Sequence, residues 1–179
     1  MKSAEHNLPT QIRVRPMRES DVPACANIIG RTPLFRSYGF GSAAAQKLLS
    51  GALKQCGSML YVAVPKTKSK STTPTLGFAW FITQGAFQRS PYLRLIAVDP
   101  LGINKGTGRA LLENFEKLHL QPYGIFLLVT KSNHQARQFY QKLGYDQVGE
   151  IPDYVKKGMT ECIYFKPPSK THARSPKKR

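Results

Sequence analysis

Residues 92–120 constrain what this chain can fold into more than any other stretch. An apolar, strand-like run from Tyr92 to Val98 leads into Asp99-Pro100-Leu101-Gly102-Ile103-Asn104-Lys105-Gly106-Thr107-Gly108, and a helix-like run follows from Arg109 to Leu120. A glycine-bearing turn between a strand and a helix gathers several backbone N–H groups around one point, and the positive end of the helix faces the same point. Such a turn favours an anion, most naturally a pyrophosphate. Gly106 and Gly108 lack a Cβ, so the backbone there can approach a bulky phosphate and take up dihedrals closed to other residues. Lys105 adds a positive charge. A phosphorylated cofactor is the expected ligand.

A chain of 179 residues and 20.0 kDa fits one domain. Apolar residues make up 41% of it, enough to bury a real core and too many for a disordered protein. No apolar run approaches the ~18 residues of a membrane helix, and residues 1–9 are polar without the apolar segment of a secretory signal. No membrane partner is expected. Cys25, Cys56 and Cys162 are odd in number and widely spaced, forming neither a CxxC pair nor a metal-ligand pattern. They read as reduced, semi-buried residues of a cytoplasmic protein with no bound metal.

Charge sets a second constraint. Lys plus Arg number 27 against 10 Asp plus Glu, a formal net charge of +17, with Lys166, Lys170, Arg174, Lys177, Lys178 and Arg179 clustered at the C-terminal end. This balance draws polyanions, either a nucleic acid or a highly phosphorylated cofactor. Residues 168–179 hold prolines and no apolar periodicity, so they read as a basic disordered tail, and residues 1–10 as a flexible lead-in.

Between these ends, periodicity lays out the elements. Residues 11–17 alternate as a short strand. Ser20 is placed to cap a helix carrying Val22, Cys25, Ile28 and Ile29 on one face, and residues 30–41 read as an aromatic loop. A second helix over 42–55 precedes strands at 59–64, 76–83 and 92–98, with 65–75 as an exposed hairpin loop. The helix after the glycine turn buries Leu111, Leu112, Phe115 and Leu118. The continuous apolar run 125–130 suits a central strand. Ser132 with Gln135 forms a capping box for a helix over 133–143, whose Ala136, Phe139, Tyr140 and Leu143 share a face and which Gly144 ends. Strands at 145–150 and 162–166 close the chain. The order predicts a mixed α/β fold, a largely antiparallel sheet flanked by helices in a single domain, with one βαβ step.

Two blocks and this element order resemble the GNAT superfamily of N-acetyltransferases. One block is Leu95-Ile96-Ala97-Val98-Asp99-Pro100 through Gly106-Thr107-Gly108 to Leu111-Leu112. The other is Asn133-His134-Gln135-Ala136-Arg137-Gln138-Phe139-Tyr140-Gln141-Lys142-Leu143-Gly144-Tyr145. The resemblance spans residues 11–167. It departs at Ile103, where the family turn usually carries Arg or Gln, and at Leu128, where many protein-acetylating relatives carry a glutamate. Residues 93–98 likewise offer no carboxylate.

The resemblance implies acetyl-CoA as donor and a primary amine, on a protein or a small molecule, as acceptor, without a metal. The diphosphate would be held by the backbone of Ile103, Asn104, Lys105, Gly106, Thr107 and Gly108, with Lys105 and Arg109 as charge partners. The splayed strand end at Ile96, Ala97 and Val98 would offer N–H donors to the thioester oxygen, which gains negative charge as the amine attacks. Asn133 would bond the pantetheine arm or an ordered water, besides capping its helix. Tyr140 matches the position of the acid that protonates the leaving thiolate.

An ammonium near pKa ~10.4 must lose a proton before it attacks. Elimination among the ten carboxylates leaves Glu150, Asp153 and Glu161, flanking the loop between the last two strands, with Glu150 and Asp153 the preferred bases. Tyr154, a water chain, His134 or an acceptor of low pKa remain alternatives. Phe35 to Phe40 would line the acceptor side.

Two other phosphate folds are excluded by spacing. A dinucleotide fingerprint needs glycine where Leu111 stands, and in a P-loop the lysine follows the glycine that Lys105 precedes. The competing functional class is a basic module of the same fold that binds RNA or ribosomes with little catalysis. Nucleic acid is a possible but unfavoured partner, and a monomer or homodimer is expected.

Overall fold

The computed structural model describes residues 11–39, 41–66 and 73–168. Seven strands, β1 (Ile12–Pro16), β2 (Ser58–Pro65), β3 (Gly77–Ala86), β4 (Ser90–Val98), β5 (Ile125–Thr130), β6 (Asp146–Pro152) and β7 (Thr160–Lys166), form one sheet in the order β1-β2-β3-β4-β5-β7-β6. Every neighbouring pair is antiparallel except β4 and β5. The helices are α1 (Val22–Arg31), α2 (Pro33–Ser37), α3 (Ser42–Lys54), α4 (Thr107–His119) and α5 (His134–Lys142). The parallel pair is the predicted βαβ step, with α4 as its crossover, so the expected single-domain α/β architecture is the one observed. Among the described residues no helix is long and apolar enough to cross a membrane.

Strand alternation divides the core in two. One side buries Leu127, Val129, Cys162 and Tyr164 against Leu111, Leu112 and Phe115 of α4 and Tyr140 of α5. The other buries Val62, Val64, Phe78 and Trp80 against Cys25, Ile28, Ile29 and Leu49 of α1 and α3.

The structure revises several local expectations. Residues 33–37 form α2 inside the expected loop, since Pro33 at the first helical position has its φ already set for a helix. Asn133, not Ser132, caps α5, accepting from the Ala136 N–H at 3.1 Å. Leu118 is 65% exposed, because its position on α4 lies outside the stripe that meets the sheet. Cys56 is exposed, while Cys25 and Cys162 are buried. Glu116 accepts hydrogen bonds from Lys166 Nζ at 2.6 Å and the Tyr145 hydroxyl at 2.8 Å.

One irregularity positions the site. Trp80 pairs with Leu95 and Phe81 with Leu93, so Arg94 is an extra residue in β4, a β-bulge that bends the strand. The parallel pairing of β4 with β5 covers only Tyr92↔Phe126 and Leu93↔Leu127, and stops where the bulge begins. Beyond it, Leu95 to Val98 and Leu128 to Thr130 keep their outer partners on β3 and β7 but not each other. Two strand edges therefore face one another with unspent backbone hydrogen-bonding groups.

Candidate active site

The split between β4 and β5 opens at the end where β4 runs into the glycine turn. Asp99 Oδ1 accepts from the Leu101 N–H at 2.9 Å, and Thr107, almost fully buried, donates its hydroxyl to the Gly102 carbonyl at 2.8 Å, fixing both ends of the turn. Gly102 is buried so closely that a Cβ would stand 2.5 Å from the Leu76 carbonyl oxygen. Between these anchors Asn104 and Gly106 take left-handed φ angles of 59° and 81°. Asn and Gly are the residues that tolerate that region.

Gly106 caps α4 without any side chain over the helix end. The first intrahelical bond runs from the Ala110 N–H to the Gly106 carbonyl at 2.9 Å. The N–H groups of Thr107, Gly108 and Arg109 precede it and stand free of that ladder. A Cβ on Gly106 would meet no atom within 4 Å, so the space over the helix end is open. Lys105 and Arg109 are exposed beside it, Arg109 reaching Glu113 at 3.4 Å. Ile103 turns its side chain outward at 46% exposure, so the departure from the family pattern leaves only its backbone in the turn. These features suit an anionic diphosphate.

A cavity of about 670 Å³ occupies the split and passes to both faces of the sheet. Asn133, which caps α5, and Ala136 and Tyr140 of that helix line one side; Leu34, Phe35 and Tyr38 of the α2 segment and Leu48 of α3 line the other. Leu95 and Ile96 of β4 reach it, whereas the Ala97 side chain packs into the α1–α3 core. The aromatic segment expected at the acceptor side thus contributes Phe35 and Tyr38, and Phe40 lies outside the described residues.

Tyr140 is buried between Tyr145 and Tyr164, with ring centroids 5.7 Å and 6.4 Å away, while its face toward the split lines the cavity. Burial pushes its phenol well above the ordinary value, and Tyr92 pushes it further, so it stays protonated. Tyr92 is raised by burial as well, and it senses both Glu161 and Arg94. Both phenols line the cavity with Glu161.

Glu161, only 3% exposed, is the single Asp or Glu lining the cavity among the described residues. Thr130 Oγ1 donates to its Oε1 at 3.2 Å, and the Tyr38 phenol, itself hydrogen-bonded to Thr130, stands 3.3 Å from the same oxygen. Burial raises its pKa above the usual carboxylate value; the bonds from Thr130 and Tyr38 oppose the rise.

The two preferred sequence candidates sit elsewhere. Glu150 pairs with Cys162, one residue out of step with Glu161, so strand alternation aims it at the opposite face. There it binds Lys131 Nζ at 2.8 Å and Gln147 at 3.0 Å, and the Lys131 bond holds its carboxyl below the usual range. Asp153 is exposed at a left-handed φ of 56°, its Oδ1 accepting from the Gly158 N–H at 2.6 Å, a turn-forming role. The parity of β7 held the missing signal: Cys162 and Tyr164 face the α4–α5 core, which puts Glu161 and Ile163 on the other side of the sheet, where both line the cavity.

The profile of the acetyltransferase (GNAT) domain matches residues 67–162, more than half of the sequence. The chain belongs to the GNAT acetyltransferase family. Its fold superposes on the ribosomal-protein-S18-alanine N-acetyltransferase of Escherichia coli with a TM-score of 0.69 at 20% identity, covering 92% of this chain and 99% of that one. It superposes equally well, TM-score 0.69, on spermidine N-acetyltransferase of Vibrio cholerae in complex with CoA and spermine, at 16% identity over 89% and 97% of the two chains. Likeness at such identities establishes the GNAT fold. In sequence, 65 residues are 38% identical to the uncharacterized protein YdhI of Bacillus subtilis, covering 35% of this GNAT chain. The match spans 41% of that relative's length.

Proposed function

We propose that the protein transfers an acetyl group from acetyl-CoA to a primary amine within a ternary complex. The observation that carries this reading is the single cavity in the β4–β5 split, which brings Tyr140 and Glu161 to one space at the end of the glycine turn. Acetyl-CoA supplies an acetyl group activated as a thioester.

The chain's own residues account for the remaining steps. The uncapped N-terminus of α4, with the amides of Thr107, Gly108 and Arg109, holds the diphosphate while Lys105 and Arg109 add charge; the Ile103 and Lys105 N–H groups, expected to join them, instead donate within the turn to the Pro100 and Gly102 carbonyls. The free edge of β4 from Leu95 onward presents backbone donors to the thioester oxygen. Glu161 removes the proton from the acceptor ammonium, and its raised pKa makes it a stronger base than an exposed carboxylate. As the amine lone pair forms the C–N bond, the C–S bond breaks and its electrons go to sulfur. Tyr140 donates its hydroxyl proton toward that sulfur. A thiol near pKa ~8.5 is a stronger acid than this buried phenol, so Tyr140 acts as a hydrogen-bond donor while charge develops. The nitrogen loses a second proton as the amide forms, and that proton ends on the departing sulfur, so the products are an amide and a thiol while the first proton passes from Glu161 to solvent. Reduced cysteines accord with a cytoplasmic setting.

Thiol release from acetyl-CoA with a panel of amines tests the reading. Tyr140→Phe lowers turnover by roughly 10²-fold while acetyl-CoA affinity stays nearly unchanged. An unaltered rate removes Tyr140 from the reaction. Salt-sensitive RNA binding without any rise in melting temperature on adding acetyl-CoA would instead support the basic binding module.

A further inference from the structure

Resting on the acetyl-transfer reading, we propose that the acceptor is a small monoamine with an apolar, aromatic-sized body, its ammonium bound by Glu161 and its body laid against Phe35, Leu48 and Ile163. The cavity wall away from α5 is built from Leu34, Phe35, Leu48, Trp80 and Ile82, with Tyr154 and Val155 at the β6–β7 loop. Among the described residues Glu161 is the only anion on the lining and Arg94 the only cation. Hydrophobic walls with a single ionic contact recognise an amphipathic molecule bearing one charge of the opposite sign.

Glu161 is arranged to receive that charge. Its two internal hydrogen-bond contacts both fall on Oε1, and Oε2 takes neither. A buried carboxylate in apolar surroundings is costly unless a cation pairs with it, and a bound ammonium provides the pairing in a low-dielectric space. Burial raises the carboxylate's proton affinity, which fits it to accept the amine's proton once the two are in contact.

A polyamine lacks a matching site. A second ammonium along the cavity would meet no second carboxylate on the lining, and would share the space with Arg94, whose guanidinium lies 5.9 Å over the Trp80 ring. The net charge of +17 opposes the approach of polycations as well. A peptide amine would bring a polar backbone against walls that are chiefly side-chain hydrocarbon.

The test uses the full chain, acetyl-CoA and four acceptors at equal concentration: 2-phenylethylamine, butylamine, spermidine and a dipeptide beginning with leucine. The expected kcat/KM for 2-phenylethylamine exceeds that for spermidine by roughly 10²-fold, a preference carried by one uncompensated charge. Glu161→Gln lowers 2-phenylethylamine turnover by about 10²-fold with acetyl-CoA affinity, measured by calorimetry, within a few-fold of wild type. Arg94→Glu, at an exposed position, adds a carboxylate and raises spermidine kcat/KM by about tenfold.

Preference for spermidine or the dipeptide, an unaffected Glu161→Gln variant, or bound acetyl-CoA with none of the amines acetylated overturns the monoamine proposal. In the first two of these outcomes acetyl transfer itself stands. Failure of acetyl-CoA to bind brings down the underlying reading, and this proposal with it.

Discussion

Thr130 and Glu161 are directly opposed in the β5–β7 register, and their side chains meet at 3.2 Å inside the cavity. The hydroxyl stabilises the ionised carboxylate against the burial that disfavours it. The proposed base acts when deprotonated, so kcat/KM is expected to fall on the acid side as Glu161 gains a proton. Removing the Thr130 bond raises the carboxyl pKa further. Thr130→Val therefore shifts the acid limb of the kcat/KM profile to higher pH and lowers the rate below that limb by roughly tenfold. A profile that does not move separates Thr130 from the base.

The same burial has a stability counterpart. A carboxyl whose pKa is higher in the folded state binds more protons there than in the unfolded chain, so stability declines as pH rises through the folded value. Glu161→Gln removes this dependence. The variant melts higher than wild type at neutral pH, and the gap closes in acid, where Glu161 is protonated. Differential scanning fluorimetry across pH reads the difference. An inactive enzyme that is more stable than its parent is the combination expected of a functional buried charge.

The glycine turn yields separable effects. Gly106 adopts φ +81° in open space, so Gly106→Ala carries backbone strain without a clash and lowers stability by about 1 kcal/mol, with Gly106→Asn recovering most of it. At Gly108 a Cβ would stand 3.1 Å from Phe139 Cζ, on the α4–α5 contact beside the open amides. Gly108→Val weakens acetyl-CoA binding by roughly tenfold or more, read by calorimetry with circular dichroism as the check on folding. Unchanged affinity would mean that the diphosphate binds away from this turn.

Glu116 ties three elements together, joining α4 to Lys166 on β7 and to Tyr145 at the start of β6. Its side chain is 10% exposed, and burial followed by its charge raises the Tyr145 phenol. Glu116→Ala leaves an ammonium and a phenol without their shared acceptor, at a cost of about 2 kcal/mol in urea unfolding. Glu116→Gln, which can still accept from the phenol, costs less.

Which of these features could be read from sequence follows from the range over which each is determined. The turn from Asp99 to Gly108 and the stripe Ala136, Phe139, Tyr140, Leu143 are local, so the glycine turn and the position of Tyr140 were legible. Residues 33–37 read as loop because a proline can end a helix or begin one, and Pro33 begins α2. Glu150 ranked ahead of Glu161 because loop proximity was visible and strand parity was not; parity emerges only once β7 is paired with β5 and β6. The bulge at Arg94 left no signal in the strand pattern. It depends on the facing register of β3, a contact between residues far apart in the chain.

The two-rung junction between β4 and β5 has a mechanical consequence. A sheet resists bending and shear through its uninterrupted ladder, and here that ladder is nearly broken between a four-stranded panel and a three-stranded one. A guest lying across the gap and bonding to both panels would serve as the absent rungs. The stiffness of the sheet across that junction would then rise when a guest is bound.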